Sequence, residues 1–507
     1  MKLAIKKSLS LAFLPFVSLI ANNPKQPNIV IIYADDMGYG DLNCQNPESK
    51  IPTPNLDKLA SQGMRFSNAH SSSGISSPSR FGLLTGMYHW RRQHNIVEAF
   101  GKPFLKESDI TLPEILKTKS YNTACFGKWH LGWDWEFVNE PKAVSKLFGK
   151  NVKYYQSNDI NWNNPIKGGP LSHGFDYFFG NEAINMPPYT WIENDKVLEI
   201  PTEDMLPHTI GFKTKEGEWE FRPGPKVKGW NPYEVLPTIS KKAVEWINSR
   251  KEGEPFFLYL ALPSPHAPII PNDEFEGKSK VGAYGDFVNQ TDCVAGQVIK
   301  ALNDKGFDEN TIVIFSSDNG TERQAWTRAE KYGHFSMGND RGLKQDVYEG
   351  GHHVPFILKW AGVTKPGSVT NELISQIDLM ATFASIIGIE MPENAAPDSY
   401  DLTLLLKGKK YKSSLREATI HNTYENNWGI RKGDWLYINS PTGSTREMPE
   451  SFKKLRNYTN FTTPGLLFNM KNDPEQRINL YNKYPKKVNQ MKLLLKEYRE
   501  SKRTVKL

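Results

Sequence analysis

Four continuous apolar runs, each stopped by a cluster of polar residues, constrain this 507-residue chain more than any other feature. Asn28-Ile29-Val30-Ile31-Ile32-Tyr33 ends at Ala34-Asp35-Asp36, and Tyr121 to Phe126 ends at Gly127-Lys128-Trp129-His130. Pro255 to Leu262 ends at Pro263-Ser264-Pro265-His266, and Thr311 to Phe315 ends at Ser316-Ser317-Asp318-Asn319. Short runs without apolar–polar alternation read as strands buried on both faces. Helical patterns lie between them: one from Pro54, then Asp109 to Leu116, Val235 to Asn248, and Asp286 to Asn303. A strand over Val354 to Trp360 and a helix over Ile377 to Ile387 close this part. The alternation predicts an α/β fold, a mostly parallel sheet with helices on both faces. Sites in such sheets form at the carboxyl ends of strands, so polar clusters far apart in sequence are expected to meet at one rim.

The rest of the chain is organised around that unit. Residues 150 to 235 are rich in Pro, Gly, Asn and aromatics and read as an irregular insertion. The character changes near residue 390. Short strand-like pieces around Ala418, Gly429 to Ile438 and Gly465 to Met470 precede a charged helix from Pro485 to Arg503. This predicts an N-terminal α/β domain over 25–390 and a smaller α+β subdomain over 391–507. Lys2, Lys6 and Lys7 precede an apolar stretch from Leu9 to Ile20, followed by Ala21 and polar Asn22-Asn23-Pro24. That is the pattern of a secretory signal peptide over 1–21, too short and wrongly flanked for a membrane span. The mature chain is therefore expected in the periplasm or secreted. With 63 basic and 56 acidic residues the formal charge is +7, and no Lys/Arg block occurs. Nucleic-acid binding is not indicated, whereas a mildly basic surface suits an anionic substrate. Cys44, Cys125 and Cys293 fit no zinc spacing, and no disulfide framework is expected; Cys125 reads as core.

The polar run Ser71 to Ser77 leads into Pro78, Ser79 and Arg80 and a short apolar stretch. Proline suits the first turn of a helix, so a helix is expected from Pro78. Its N-terminus would present free N–H groups and a positive dipole end beside Ser76. Asp35-Asp36 and Asp318-Asn319 offer hard oxygen ligands of the kind calcium takes.

The string Ser76-Ser77-Pro78-Ser79-Arg80, continuing to Leu84-Thr85-Gly86, resembles the signature of the type I sulfatases in its serine form. The resemblance covers most of 27–390, with Gly429 to Trp435 and Leu467 to Leu480 beyond it. It implies an alkaline-phosphatase-like sulfatase fold and oxidation of Ser76 to formylglycine by a sulfatase-maturating enzyme. It also implies one Ca2+ held by Asp35, Asp36, Asp318, Asn319 and modified Ser76. Lys128 and His130 match the family's Gly-Lys-x-His segment, and His266 matches its Pro-His-x-Pro segment. Lys344, before Tyr348-Glu349-Gly350-Gly351, matches its second lysine. The roles implied are a hydrated aldehyde as nucleophile, His266 as general acid and substrate contact, and His130 as base. Lys128 and Lys344 would neutralise the sulfuryl group, and Arg80 would brace the hydrate. Asp378 is read as structural. His353 departs from the family, which often carries Arg before Val-Pro.

Gly132-Trp133-Asp134-Trp135 and Pro187-Pro188-Tyr189 are similar to segments of the arylsulfatase and N-acetylgalactosamine-6-sulfatase branch. A sulfated sugar or glycan is the substrate this implies, with a galactose or N-acetylgalactosamine 6-sulfate in view. Trp129, Trp133, Trp135, Tyr189 and Trp191 are expected against sugar rings, and His173, Asp134 and Asp176 as readers of hydroxyls. The alternatives are a phosphatase or phosphonate hydrolase of the same superfold, and a non-catalytic glycan-binding protein with unmodified Ser76.

Overall fold

The ten strands of the main sheet are, in chain order, Asn28–Ala34 (β1), Met64–Phe66 (β2), Asn122–Lys128 (β3), Tyr177–Asn181 (β4), Ile192–Glu193 (β5), Lys196–Val197 (β6), Phe256–Ala261 (β7), Thr311–Ser317 (β8), Phe356–Trp360 (β9) and Ser368–Thr370 (β10). They come from a computed structural model that describes residues 26–147, 149–206, 213–217, 221–409, 411 and 414–505. The expected signal peptide, 1–21, lies outside the described residues. Across the sheet the order is β10-β2-β9-β8-β1-β7-β3-β4-β5-β6. The five central strands, β8 through β4, run parallel. Strands β9 and β5 run antiparallel to β8 and β4, so the sheet is mixed rather than wholly parallel.

Alternate residues of β1 feed two separate cores, as the period of a strand dictates. Ile29, Ile31 and Tyr33 pack with residues of helices Ser76–Thr85 and Leu112–Lys117, such as Phe81 and Leu116. Val30, Ile32 and Ala34 pack with Leu56, Ile239 and Val298 from helices Pro54–Gln62, Val235–Asn248 and Gly282–Asp304. These five helices, named α2 and α3 on the first face and α1, α4 and α5 on the second, complete a three-layer architecture with α6 (Leu379–Ile387) on the first face. Helix α2 begins at Ser76, two residues before Pro78, because extended Ile75 supplies the first carbonyl, to Ser79 N–H at 3.2 Å. Proline then occupies a first-turn position where no hydrogen bond is lost.

The C-terminal part forms a four-stranded antiparallel sheet, Thr419–Asn422 (β11), Trp428–Lys432 (β12), Trp435–Ile438 (β13) and Leu466–Asn469 (β14). Helix α7 (Pro485–Glu500) covers it through Val488, Met491 and Leu495, and Tyr88 and Ile377 enter the same core. Asp378 is buried beneath this contact, ion-paired to Arg416. Segment 150–235 holds only short strands and 3-10 turns among its described residues until helix α4 begins at Val235. Cys125 is in the core, and all three cysteines are free. No helix of the described residues is long and apolar enough to cross a membrane.

Candidate active site

The parallel register aligns the carboxyl ends of β1, β3, β7 and β8. Ala34 pairs with Ser317, and Gly127 pairs with Ala261. The polar residues that follow each strand therefore share one rim. At Gly127 the backbone has φ 99°, and an added Cβ would lie 2.1 Å from the Ala261 carbonyl oxygen. Only glycine permits that approach, and Lys128 follows it directly. Asp36 and His130 also leave their strands through the left-handed region, at φ 62° and 52°. Such conformations are uncommon for side-chain-bearing residues, and here they break strand alternation so that neighbouring side chains reach the same rim.

Ser76, at the N-terminus of α2, sits in the middle. Its Oγ is 3.4 Å from Asp35 Oδ1, 3.5 Å from Asn319 Oδ1 and 3.4 Å from Lys128 Nζ. Asn319 Nδ2 donates to Asp36 Oδ1 at 2.7 Å, and the Asp36 N–H donates to Asp318 Oδ1 at 3.2 Å. All four acidic and amide side chains are buried. Three cations balance the three carboxylates. Arg80 places Nη2 2.8 Å from Asp318 and 3.5 Å from Asp35, Lys128 lies 2.5 Å from Asp35, and Lys344 lies 2.8 Å from Asp36. Burial alone would raise the carboxyl pKa of Asp35, yet Lys128, His266 and Arg80 hold it below the usual range. Burial opposes charge on Asp36 also, and Lys344 and His266 again prevail. Burial lowers the pKa of Lys128, whereas Asp36 and Asp35 outweigh burial and raise that of Lys344.

Asp35 Oδ1 and Asn319 Oδ1 stand 3.4 and 3.5 Å from Ser76 Oγ, longer than an O–H···O hydrogen bond and suited to donors sharing one cation. The set is all oxygen, anionic and backed by fixed side chains. It fits a hard divalent ion and not a thiophilic one.

Around this centre lies a cavity of about 710 Å³ lined by Ser76, Lys128, His130, His266 and Lys344. A second cavity of the same volume lies at the amino ends of the strands, around Asn28, Pro255 and Asn310, and holds none of these residues. His130 Nε2 donates to the Val97 carbonyl at 3.1 Å, which leaves Nδ1 without its proton. That Nδ1 is buried with no hydrogen-bond partner. Burial, then Lys128 and Arg80, push the His130 pKa well below its ordinary value, so the ring is neutral. His266 donates from Nδ1 to the Ala267 carbonyl at 2.5 Å and turns Nε2 toward Asp36, 3.7 Å away.

The guanidinium of Arg80 reaches Asp318, Asp35, the Lys128 carbonyl and the Tyr259 hydroxyl, and so braces the carboxylates beside Ser76. Several other expectations require correction. His173 is buried beside α3, where its carbonyl accepts from Thr111, and it does not line the cavity. Asp134 is at the surface, paired with Lys102. Asp176 ties Thr123 to Lys117. Trp129, Trp133, Trp135 and Tyr189 are core residues, so their rings are closed to a sugar. The cavity instead recruits residues that carry no motif: Asn185, Met186 and Arg222 from the insertion, and Tyr424 and Arg446 from the C-terminal part.

Known proteins resemble this chain in sequence and fold. Residues 27–389 match the family model described as Sulfatase, and residues 342–503 match N-sulphoglucosamine sulphohydrolase, C-terminal. The chain is 34% identical to the N-acetylgalactosamine-6-O-sulfatase of Bacteroides thetaiotaomicron, over 93% of each chain. It is 29% identical to the human N-acetylgalactosamine-6-sulfatase, over 90% of this chain and 82% of that one. A solved sulfatase structure from work on glycosaminoglycan metabolism by Bacteroides thetaiotaomicron superposes with a TM-score of 0.76 at 32% identity, covering 94% of this chain and 100% of that one. With the strand-end rim, the buried oxygen set and these matches in hand, the chain belongs to the sulfatase family, in its N-acetylgalactosamine-6-sulfatase and arylsulfatase branch, and is a sulfuric ester hydrolase.

Proposed function

We propose that this chain is an exported sulfatase that removes a 6-O-sulfate from N-acetylgalactosamine or galactose units of a glycan. It would act with one Ca2+ and with a formylglycine made from Ser76 by a maturating enzyme. One observation carries the reading: Asp35, Asn319 and Lys128 lie against Ser76 Oγ, and Asp36 and Asp318 are hydrogen-bonded into the same group, with Lys344 on Asp36. The names of the relatives support the sugar and the position. Asp35, Asp36, Asp318 and Asn319 would hold the ion. The ion supplies positive charge for a sulfuryl oxygen and the aldehyde hydrate supplies an acidic hydroxyl, where serine alone is a poor nucleophile.

The remaining work falls to residues of the chain. Lys128 and Lys344 border the cavity and neutralise sulfuryl oxygens as charge redistributes. The His266 Nδ1 proton is committed to Ala267, so the proton given to the leaving alcohol comes from Nε2. His130 accepts a proton at Nδ1, since its Nε2 is committed to Val97. Arg80 keeps Asp318 and Asp35 oriented.

Mass spectrometry of the peptide containing Ser76 is the direct test, because conversion to the aldehyde removes two hydrogens. Turnover is then compared on 6-O-sulfated and 4-O-sulfated N-acetylgalactosamine. Ser76→Ala is expected to lower turnover at least about 10³-fold with the fold intact, as loss of a nucleophile does elsewhere. An unconverted Ser76 in active protein, or equal rates on both sugars, would overturn the corresponding half of the proposal.

A further inference from the structure

A second group of ligand-type side chains lies apart from Ser76, where the main sheet meets the C-terminal one. His70 opens the loop that leads to Ser76, Glu349 and His352 belong to the turn before β9, and His421 is on β11. All four are at most 3% exposed. Backbone bonds lace the first two segments together, from Ser71 N–H to the His352 carbonyl at 2.9 Å and from Val354 N–H to the Ala69 carbonyl at 3.1 Å.

Hydrogen bonds fix the tautomers. His352 Nε2 lies 3.2 Å from the Val347 carbonyl, which can only accept, so Nε2 carries the proton and Nδ1 a lone pair. His70 Nε2 lies 3.0 Å from Asn68 Oδ1. That amide is oriented by its other bonds: Nδ2 donates to the Asn371 carbonyl, and Oδ1 accepts from Arg431. His70 Nδ1 is therefore also a lone pair. The two Nδ1 atoms face each other at 3.0 Å. Two lone pairs at that distance repel, and a proton between them would create a buried imidazolium.

Neither nitrogen of His421 has a hydrogen-bond partner among the described residues, and Glu349 Oε1 has none either. Glu349 Oε2 is held by Arg431 at 3.0 Å. One ligand atom from each of the four residues lies within 4.8 Å of the others. Unpaired buried polar atoms are costly and call for an explanation. His353, next in the chain, stands outside this set: it is held by Asp340 at 2.6 Å and stacks on Tyr39.

We propose that His70, His352, His421 and Glu349 form a second metal site that takes a first-row divalent ion, zinc in the first instance. Three imidazoles and one carboxylate make a four-ligand set suited to zinc and poor for calcium or magnesium. The Val347 carbonyl and Asn68 are the outer partners that orient the ligating rings. His352 and His421 are stacked at 3.8 Å with planes 3° apart, so both cannot aim a lone pair at one centre. His421 turns on binding, since it has no hydrogen bond to break. The ion would join β11 to the segments carrying His70 and His352, and so clamp the C-terminal sheet to the catalytic one. An ion that binds the folded state alone raises stability.

Purified full-length protein, stripped with a chelator, is dialysed against Zn2+ or Ca2+ and passed through a desalting column. Metal content and thermal midpoint are then measured. The wild type is expected to retain about one zinc and to gain a few degrees. His421→Ala and His352→Gln should retain zinc at least about tenfold more weakly, while Asp36→Asn keeps it. Zinc retention equal in wild type and His421→Ala, or no zinc in the wild type, overturns the site. If the histidine variants fail to fold, cobalt-loaded Asp36→Asn decides. Intense visible bands of four-coordinate cobalt support the site, and their absence rejects it.

Discussion

Arg80, Lys128 and Lys344 face three buried carboxylates, and the consequences differ from one pair to the next. Arg80 and Asp318 are both fully buried, with Nε at 3.2 Å and Nη2 at 2.8 Å from one carboxylate oxygen. Such a pair adds little net stability, but removing one partner strands the other without compensation. Arg80→Met is therefore expected to cost about 3–5 kcal/mol in urea unfolding, and Arg80→Lys less, because charge is kept and only the fork is lost. Equal costs would show that volume, not charge, decides. His89 makes a separate case. Burial, then His94, push its pKa down to about 3. The unfolded chain takes up that proton near pH 6.5 and the folded chain refuses it. Stability from this residue is thus fully present above pH 6.5 and drains away as pH falls toward 3, by about 1.4 kcal/mol per pH unit. Thermal or urea unfolding of His89→Gln across that range should show a shallower acid loss than the wild type; parallel curves would refute the assignment.

Helix α2 carries the nucleophile position at one end and a left-handed glycine at the other. Gly86 caps it at φ 63°, and an added Cβ would lie 2.8 Å from Ala396 Cβ. Gly86→Ala combines backbone strain with a contact that must move, so a loss of at least about 1 kcal/mol is expected in denaturant unfolding. A smaller loss would mean that the Ala396 loop yields freely. The same helix shows what a sequence discloses. The Pro78 signal located it, but extended Ile75 moved its start to Ser76, a tertiary choice that no local pattern encodes. The strands β1, β3, β7 and β8 were legible because strands buried on both faces need unbroken apolar runs. Strands β2, β5, β6 and β10 have two or three residues each, too few for any period to register. Helix α5 starts at Gly282, four residues before the expected Asp286, since packing overrides the low helix propensity of Gly282 and Gly285. At the rim, residues attached to strand ends were readable from position. The aromatic residues Trp129, Trp133 and Trp135 were not, because a tryptophan beside a cluster of polar residues serves a core or a sugar equally well until burial is known. Arg222 and Arg446 lie in segments without periodicity, and only the folded chain brings them to the cavity.

At the scale of the whole molecule, the charge of +7 is thin for 507 residues, and its placement matters more than its size. The cavity gathers Lys128, Lys344, Arg222, Arg323 and Arg446, against Asp36, Glu98 and Glu322. Arg222 is engaged by Glu98 at 3.3 Å, while Arg446 has no ion pair among the described residues. A concave site with an excess of cations focuses its field toward the mouth and draws in anions carrying several charges. The proposed glycan substrate would bear further sulfates or carboxylates on neighbouring units, whereas a sulfated monosaccharide presents one charge, already met by the centre at Ser76. Between exposed groups this attraction is screened beyond about 8 Å at physiological ionic strength, so it should act on capture and not on bond cleavage. Raising salt is therefore expected to raise KM severalfold for a sulfated oligosaccharide, with kcat nearly constant, and to change KM little for a monosaccharide sulfate. Arg446→Ala should reproduce the same split at low salt. If both substrates respond alike, the outer cations contribute only general attraction, and recognition beyond the first sugar is carried by uncharged contacts such as Asn185 and Tyr424.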